Sequence, residues 1–555
     1  MCVRRSSVVV LALIVVVTAQ PALVAAPAIL PVPIGFSAGE GADFPMLRDV
    51  GASVVKLTAD WSEIESRQGT RTWGGLDDAV NAARAVGLRV VLVLFGTPRW
   101  ASPATGEELN DPSIYARQPP RRLEDWEAFV MAVAERYKDR VRDWQIWPGR
   151  GLSLFRGTTR EYIALLRAAR VFIKAADPGA RVILSTPFGM DLVDLRNLLT
   201  DAPDDFDVIL LAPRGVSPDA LLRPLGTLRE RVLGGSSKAV WLEWDPYSYG
   251  LRSSWPGQLV KLQALAKAFG IEQLIWRGDA SAITQVVLGG LALRVGRRPY
   301  AGYLMRQRAL VLVFGDRDPA AVAWTGAGEE IVPVEGPSAQ AYTATGDARP
   351  VVTEGDARRV AVSNEPVVFT GAPQAWVEEA QKARQAGSLP VLLPAVDFSG
   401  AAQVSATLGR ANAERGLYNQ RFRTALNEAT EVIEVDGVEA VRSDNSKERV
   451  YLRFDVDDTF LFFVDGRAGV EITVEVRGAS AAQQLGFNLW YDSISGYRFT
   501  PWQWVEATPG WVSYTFRLPD AAFADTWGWD FAINAVGNRS ENLIVHSVTV
   551  KKVAP

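Results

Sequence analysis

Short apolar segments alternate with amphipathic segments of helical periodicity over residues 31–299. The apolar segments have the length of buried strands and the amphipathic ones that of surface helices, an alternation typical of parallel βαβ units. Eight strands in roughly 270 residues match a (β/α)8 barrel in number and size. We therefore predict an α/β TIM barrel over residues 31–300. Its predicted strands are Ile34–Phe36, Val54–Leu57, Val90–Phe95, Trp144–Trp147, Val182–Ser185, Val208–Leu211, Val240–Leu242 and Leu274–Trp276.

Two helices of this region carry end signals of their own. One is predicted over Leu76–Val86, where Gly87 supplies a C-terminal cap, and the other over Glu161–Ala176, where Asp177 and Pro178 end the helix.

The pattern changes after the predicted barrel, as expected for a chain of 555 residues, which is too long for one domain. Residues 301–375 contain short strands separated by Gly, Asp and Pro, which predict a small β-domain. Residues 376–390 are rich in Ala, Gln and Lys and predict a helical or flexible linker. Residues 391–555 show alternating strands throughout, which predict a C-terminal all-β, jelly-roll-like sandwich.

The first 26 residues have the pattern of a secretory signal peptide. Arg4 and Arg5 precede an apolar run from Val8 to Val17, and Val24–Ala26 offers a small-residue cleavage site. The alternative is an uncleaved membrane anchor, for which the apolar run is short. We expect a secreted or cell-surface protein with no membrane span after cleavage.

Charge and two rare residue types limit the chemistry of the chain. A formal net charge of -4 gives no reason to expect nucleic-acid binding. The single cysteine, Cys2, lies in the predicted signal peptide, so the mature chain has neither a disulfide nor a thiol nucleophile. The single histidine, His546, lies in the last predicted strand, which excludes a Ser-His-Asp triad in the barrel and argues against a zinc site. We predict no metal site and no cofactor.

Several ordered segments of the predicted barrel resemble the clan-A retaining glycoside hydrolases, nearest the xylosidase- and iduronidase-like family. The resemblance spans the whole barrel region and implies a carbohydrate partner. It also implies that the small β-domain packs beside the barrel, with a last strand like Glu365–Phe369. The segments that carry it are GASVVKLTADWSEIE at residues 51–65, its continuation to Asp77, TPRWA at residues 97–101, and DWQIWPGRG at residues 143–151.

The fourth strand lacks the clan's proton donor. A retaining glycosidase needs a nucleophilic carboxylate and an acid/base carboxyl about 5–5.5 Å apart. The clan pattern on this strand reads W-E-I-W-N-E-P-N, in which the Glu after Asn is the acid/base. Trp144 and Trp147 match that pattern, but Pro148 and Gly149 replace Asn-Glu. The acid/base position is therefore lost at Gly149.

The seventh strand keeps a carboxylate. Lys238–Asp245 is similar to the clan's K-P-V-W-L-T-E-W-G, in which the Glu is the nucleophile. Without a gap, Glu243 falls one position early, which would turn it away from the pocket. A deletion or a bulge restores it, and Trp244 matches the pattern's E-W, which favours the deletion. We predict Glu243 as a possible surviving nucleophile and Asp245 as a weaker candidate. The alternative is a strand-end carboxylate bonded to a neighbour.

Other positions of the predicted pocket differ from the clan as well. Lys56 stands where the second strand usually has arginine, and lysine lacks the planar fork of the guanidinium. The sixth strand ends in Ala212-Pro213-Arg214 instead of His-Pro-Tyr. The eighth ends in Trp276-Arg277, and this tryptophan agrees with the clan's sugar-stacking one. Together these departures indicate that the pocket no longer serves retaining hydrolysis.

The predicted rim combines aromatic and charged side chains, which suits a saccharide. Its arginines would favour an acidic sugar, and the alternative is that they pair with neighbouring carboxylates. The predicted substrate-binding residues are Trp100, Trp147, Trp244, Trp276, Lys56, Arg150, Arg214 and Arg277. Carboxylates predicted at the rim are Asp60, Glu63, Glu243, Asp245 and Asp279.

Tryptophan is dense in the predicted sandwich, which resembles the accessory carbohydrate-binding modules of carbohydrate-active enzymes. Trp490 and Trp511 lie on strand patterns and are predicted to be core residues. The predicted carbohydrate-binding residues lie in turn-like segments, and the alternative for each is the core. They are Trp502, Trp504, Trp527 and Trp529.

Three functions remain open at this point. The favoured one is an exported, non-catalytic carbohydrate-binding protein on a degenerate glycosidase barrel. The second is an active glycoside hydrolase in which Glu243 or Asp245 pairs with Asp60 or Asp279, at the wider separation of an inverting enzyme. The third is a structural or assembly protein of the cell envelope. Pocket tryptophans separate the first two from the third, and a second pocket carboxylate separates the second from the first.

Overall fold

The computed structural model describes most of the chain after residue 29. The described ranges are 30–39, 41–149, 154–186, 190–213, 216–246, 255–326, 328–334, 338–354, 357–392, 396–420, 431–445, 450–464, 469–526, 528–538 and 541–553. The predicted signal peptide and the residues Arg150, Arg214 and Trp527 lie outside them.

Eight parallel strands form a closed barrel in chain order. β1 pairs with both β2 and β8, which closes the sheet. Each strand covers a segment that the sequence predicts, so the predicted α/β barrel is confirmed. The strands are β1 (Ile34–Ser37), β2 (Val54–Asp60), β3 (Arg89–Phe95), β4 (Asp143–Ile146), β5 (Arg181–Ser185), β6 (Val208–Leu211), β7 (Ala239–Trp244) and β8 (Gln273–Trp276).

Helices between the strands cover the outside of the barrel. α6 begins two residues before its predicted start, because Thr158 caps it and forms a capping box with Glu161. α3 is followed by Gly87, whose φ of 78° is the left-handed conformation that ends a helix. The helices are α1 (Phe44–Asp49), α2 (Trp61–Ile64), α3 (Gly74–Ala85), α4 (Pro112–Tyr115), α5 (Leu123–Tyr137), α6 (Thr159–Ala176), α7 (Leu192–Asp201), α8 (Leu222–Thr227), α9 (Trp255–Ala268) and α10 (Ala282–Arg294).

The inside of the barrel is layered. Its middle is an apolar cluster that includes Val91, Ile183 and Trp241. At the amino ends of the strands, Arg181 Nε lies 2.7 Å from Asp143 Oδ1 and closes the bottom with charge. The opposite, carboxyl-end face is where barrel enzymes place their chemistry.

A small β-domain follows and contains two sheets. The larger has the order β14-β13-β17-β11-β10-β9, and the smaller has the order β12-β16-β15. Leu310, Leu312 and Trp324 join the apolar core of the barrel, so one face of the larger sheet packs on it. The strands are β9 (Tyr300–Arg306), β10 (Ala309–Phe314), β11 (Ala320–Thr325), β12 (Glu330–Pro333), β13 (Gln340–Tyr342), β14 (Ala348–Arg349), β15 (Val352–Glu354), β16 (Ala357–Val362) and β17 (Val367–Thr370).

The segment predicted as a linker is a helix of this β-domain. α11 (Gln374–Gln385) covers the other face of the larger sheet, and Trp376, Val377 and Ala380 are buried in it. The helix and β9 are in close contact, because a Cβ atom added at Gly302 would lie 2.0 Å from the carbonyl oxygen of Ala380. Of the two predicted alternatives, helical or flexible, the segment is helical, and three apolar positions at helical spacing pack it on the sheet.

The C-terminal region is a sandwich of two antiparallel sheets, as predicted. One contains β18, β19, β21, β22, β24, β28 and β30, and the other β20, β23, β25, β26, β27 and β29. β30 pairs with β18, β22 and β24 and therefore lies inside its sheet. The strands are β18 (Gln403–Thr407), β19 (Ala413–Arg415), β20 (Leu417–Asn419), β21 (Glu431–Val435), β22 (Val438–Arg442), β23 (Tyr451–Val456), β24 (Gly469–Arg477), β25 (Gly486–Ser493), β26 (Gly496–Phe499), β27 (Gln503–Trp504), β28 (Trp511–Leu518), β29 (Phe531–Asn534) and β30 (Ile544–Val553).

The sandwich packs on the barrel. Phe463, Ala522 and Ala524 belong to the same apolar cluster as the barrel core. Across the contact, the Met190 amide donates to the Thr526 carbonyl at 3.1 Å, and the Arg231 guanidinium donates to the Phe463 carbonyl at 3.1 Å. Among the described residues, no helix combines the length and the apolar character needed to cross a membrane.

Candidate functional site

Glu243 faces the interior of the barrel near the carboxyl end of β7. It shares a side of the strand with Trp241, which belongs to the interior apolar cluster. β7 and β8 pair in one register from Trp241 to Trp244, without a bulge. The structure thus places Glu243 in the pocket, and Trp244 on the side of the helices.

Both oxygens of the Glu243 carboxylate are held by cations. The Lys56 ammonium on β2 donates to Oε2, and the Arg277 guanidinium beyond β8 lies 3.4 Å from Oε1. Glu243 is only 3% exposed and Lys56 8%. Because an ion pair in a low-dielectric site is held strongly, this carboxylate is neutralised and positioned.

The end of β4 offers amide and hydroxyl groups in place of a carboxyl. Trp147 has a φ of 62°, a left-handed conformation that is costly for a bulky residue. Its carbonyl oxygen accepts from Gln145 Nε2 at 3.0 Å and from the Ser185 hydroxyl. Gln145 also donates to Ser185 Oγ at 2.8 Å. Gly149, at which the sequence resemblance predicts a lost acid/base, follows and is buried.

Three tryptophans predicted as sugar-stacking platforms are core residues. Trp147, Trp244 and Trp276 are each no more than 1% exposed. Trp244 stacks on Trp276 with ring centres 5.5 Å apart, and its indole donates to the Val216 carbonyl at 3.0 Å. The Trp147 indole donates to the Leu154 carbonyl at 2.8 Å. The prediction is wrong because strand alternation turns Trp244 and Trp276 toward the helices.

Trp100 remains half-buried near the mouth of the barrel. Its indole donates to the Glu65 carbonyl at 2.7 Å and meets Trp61 edge-on at 5.7 Å. This packing fixes the ring and leaves part of it exposed.

The rim carboxylates have different environments. Asp60 Oδ1 caps α2 by accepting from the Ser62 amide at 2.9 Å and the Ser62 hydroxyl at 2.6 Å. Burial raises the pKa of Asp60. Asp60 and the exposed Glu63 line a groove of about 480 Å³. Asp279 is exposed and Asp245 half-buried.

An aromatic surface lies on the outer face of the six-stranded sheet of the sandwich. Trp504 is 57% exposed and Phe499 55% exposed. Phe499 pairs with Trp490 across β25 and β26, and their rings stack at 5.4 Å. Trp502 meets Trp504 edge-on at 6.0 Å. We call Trp490, Phe499, Trp502 and Trp504 the sandwich aromatic surface.

Polar groups lie between the two ends of this surface. Asn488 follows Gly486, the partner of Trp504, and precedes Trp490 on the same side of β25. The Asn534 amide donates to Asn488 Oδ1 at 2.9 Å. The sequence patterns missed Phe499 and this amide pair, although the side-chain alternation of β25 carries the signal.

Trp529 differs from the prediction made for it. It is buried and packs on Tyr497 and Trp490, with ring centres 4.9 and 5.2 Å apart. Its neighbours are aromatic rings on β25 and β26, so it supports the surface from within instead of facing a ligand. Trp490, predicted as a core residue, is only half-buried.

No protein-family model matches the sequence, and no curated protein matches it. Solved structures that match include a family 39 glycoside hydrolase from Bacteroides cellulosilyticus WH2, with 15% identity over 61% of this chain and 81% of that chain and a TM-score of 0.48. A monomeric β-xylosidase from Caulobacter crescentus CB15 has 14% identity over 62% and 97%, with a TM-score of 0.46. A GH30 endoxylanase from Clostridium papyrosolvens C71 has 16% identity over 62% and 98%, with a TM-score of 0.43.

These proteins belong to the glycoside hydrolases, the class that the sequence motifs resemble. These matches carry no conclusion about the activity of this chain, because the identities are low and the TM-scores lie below 0.5. The barrel assignment rests on the closed strand order of the chain itself.

Proposed function

We propose that this chain is an exported, glycoside hydrolase-like protein that binds a saccharide and does not perform ordinary retaining hydrolysis. The observation that carries the proposal concerns the two pocket positions at which a retaining glycosidase would need its carboxyl groups. Glu243 is bound by Lys56 and Arg277, while Pro148 and Gly149 follow β4. Export is supported by the signal-peptide pattern of the first 26 residues.

Loss of the proton donor alone is a large handicap for hydrolysis. A positioned general acid typically contributes about 10²–10⁴-fold to the rate. The ion pair adds a second obstacle, because Glu243 would have to leave Lys56 before attacking a sugar. Natural glycosides depend most on protonation, since their leaving groups are poor.

The saccharide site in this proposal is the sandwich aromatic surface. Exposed indole and phenyl faces stack on the apolar faces of sugar rings, and neighbouring amides can bond to hydroxyls. Trp504 and Phe499 provide the exposed rings, whereas Asn488 and Asn534 are buried and bonded to each other beneath them. In the barrel, Trp147, Trp244 and Trp276, which were predicted to serve this purpose, are buried.

The binding test uses the full-length chain and a panel of neutral and uronate-containing oligosaccharides. We expect intrinsic fluorescence quenching or calorimetric heat with at least one ligand. Trp504→Ala should weaken that binding by about tenfold, roughly 1.4 kcal/mol. Val352→Ala is the matched control, since Val352 is also exposed but lies in the small β-domain. Absence of binding across a broad panel would favour a cell-envelope assembly role.

The activity test uses the same protein. Hydrolysis of natural, unactivated oligosaccharides should be undetectable. Trace turnover of aryl glycosides with good leaving groups, lost in Glu243→Gln, would identify Glu243 as a residual nucleophile. Efficient hydrolysis of natural oligosaccharides would refute the non-catalytic proposal.

One observation favours a second candidate function, an active glycosidase with a displaced acid. Burial raises the pKa of Asp60, as is typical of catalytic proton donors. Asp60 lies four residues beyond Lys56, the partner of Glu243, on β2. The Cα atoms of Asp60 and Lys56 are therefore about 13 Å apart, which separates this acid from the Lys56–Glu243 pair. This candidate requires a detectable hydrolase activity that both Asp60→Asn and Glu243→Gln abolish. Unchanged activity in Asp60→Asn would eliminate it.

A further inference from the structure

A group of carboxylates lies where the sandwich meets the barrel. Asp455 is on β23, Asp458 follows that strand, and Asp525 and Asp530 belong to the loop that leads into β29. This cluster lies beside a cavity of about 330 Å³ whose wall includes Arg223 of α8 in the barrel. The sequence patterns did not single out any of these residues.

The spacing of three carboxylates matches a cation's coordination sphere. Oxygens of Asp455, Asp525 and Asp530 lie within 4.8 Å of one another. Ca²⁺ binds oxygen at about 2.3–2.6 Å, so ligands on opposite sides of it are about 4.6–5.2 Å apart. Mg²⁺ binds at about 2.0–2.1 Å and requires a tighter, octahedral arrangement. Both ions fit oxygens within that bound, but three carboxylates in one place favour Ca²⁺, because Mg²⁺ keeps several waters and takes only one or two carboxylates.

Asp525 gives an independent reason to expect a ligand. Its Oδ1 is buried and has no hydrogen-bond donor among the residues that the structure describes. Its carboxyl also contacts that of Asp458. A buried carboxylate oxygen without a donor costs free energy, and two carboxyls in contact need a proton or a cation between them.

Among the described residues, one cation lines the cavity beside this cluster. This cation is Arg223, and its Nε lies 3.3 Å from Asp458 Oδ2. Asp530 accepts from the Val456 amide at 2.9 Å and the Asp525 amide at 3.3 Å. Burial raises the pKa of Asp458 to about 6 and also raises the pKa values of Asp525 and Asp530.

We propose that Asp455, Asp525 and Asp530 bind a hard divalent cation, Ca²⁺ in preference to Mg²⁺, where the sandwich meets the barrel. The cavity leaves room for the water ligands that complete a sphere of six to eight oxygens. The ion offsets the charge of the cluster and fixes the loop before β29. That loop also bonds to the barrel through the Thr526 carbonyl, so the ion stabilises the contact between the two units.

The experiment uses the full-length chain, stripped with EDTA and then titrated with CaCl₂ or MgCl₂ alone. We expect one Ca²⁺ bound per chain by calorimetry, a rise in Tm with Ca²⁺, and a smaller rise with Mg²⁺. Failure of the wild-type chain to bind Ca²⁺ would overturn the proposal. Equal or tighter Mg²⁺ binding would overturn the stated preference.

Asp525→Asn should weaken Ca²⁺ binding by at least about tenfold. Asp436→Asn is the matched control, because Asp436 is also an aspartate in the left-handed conformation in the sandwich, and it should bind Ca²⁺ as the wild type does. Asp455→Asn provides a second ligand variant if Asp525→Asn does not fold. Another outcome is a wild-type chain that fails to respond to Ca²⁺ while Asp525→Asn raises the Tm. That result would overturn the proposal and would show that the carboxyls of Asp525 and Asp458 share a proton instead of binding a cation.

Discussion

At the scale of single residues, the partners of Glu243 determine what its carboxylate can do. Glu243 faces the barrel interior, and both of its carboxylate oxygens are bound, one by Lys56 and the other by Arg277. Lys56 stands where the clan has arginine, and a compact ammonium approaches one carboxylate oxygen closely. The side chain at position 56 on β2 thus affects the charge around the Glu243 carboxylate on β7.

Removing Lys56 should expose that coupling. Lys56→Met leaves Glu243 buried, with the exposed Arg277 as its remaining cation among the described residues, so we expect a loss of about 3–5 kcal/mol in unfolding free energy. Urea denaturation measures it. The double variant Lys56→Met with Glu243→Gln is the control and should recover much of the loss. A single variant as stable as the wild type would show that the pair contributes nothing.

Asp60 predicts a pH effect with a defined sign. Because burial raises its folded-state pKa above the usual 3.8, ionised Asp60 is a cost to folding that is fully present above the folded pKa. Asparagine caps a helix as well as aspartate does. Asp60→Asn should therefore be more stable than the wild type at pH 7, and the difference should shrink as the pH falls toward 4. Denaturant unfolding at both pH values tests this, and a difference independent of pH would contradict it.

At the scale of elements, the sequence predicted strands better than it predicted which side chains face the pocket. All eight barrel strands were visible, because buried parallel strands are short apolar runs. The orientation of Trp244 and Trp276 could not be predicted, because the motif aligned Trp244 without showing which side of the strand it faces. Glu243 was uncertain for the same reason. The acidic cluster was invisible because its members are far apart in sequence and meet only through the folding of β23 and the loop before β29.

α11 offers a prediction at this scale. Gly302 has a φ of 146°, and a Cβ there would lie 2.0 Å from the Ala380 carbonyl. Gly302→Ala must therefore push α11 away from β9, and we expect a loss of about 1–3 kcal/mol. Thermal unfolding measures it. Gly326→Ala, at an open position, is the control and should be close to neutral. Equal effects of the two substitutions would mean that α11 is not held against the sheet.

At the scale of the whole molecule, three units share apolar surfaces. The small β-domain and the sandwich each contribute residues to the cluster that contains the barrel core. The charged pair of Arg223 and Asp458 and the backbone bond between Met190 and Thr526 add polar contacts across one boundary. A perturbation deep in the sandwich should therefore reach the barrel through this contact.

The interior strand β30 permits a test of how the core of the sandwich is packed. Val550 is buried, whereas the adjacent Lys551 is exposed. Val550→Asp places a charge in the sandwich core and should lower the calorimetric transition of the sandwich by 10 °C or more, on the order of 4 kcal/mol. Lys551→Asp, one residue along, should leave it within about 2 °C. Similar shifts for both variants would contradict the assigned register.

The position of β30 also has a consequence for how the protein is made. A ribosome releases the chain from the amino end, and domains generally fold as they emerge. The barrel can close once β8 has joined β1, long before synthesis ends. The seven-stranded sheet must wait for the last strand, which three earlier strands border. Until translation reaches that strand, β18, β22 and β24 expose open edges, which makes this interval the period of greatest risk for aggregation.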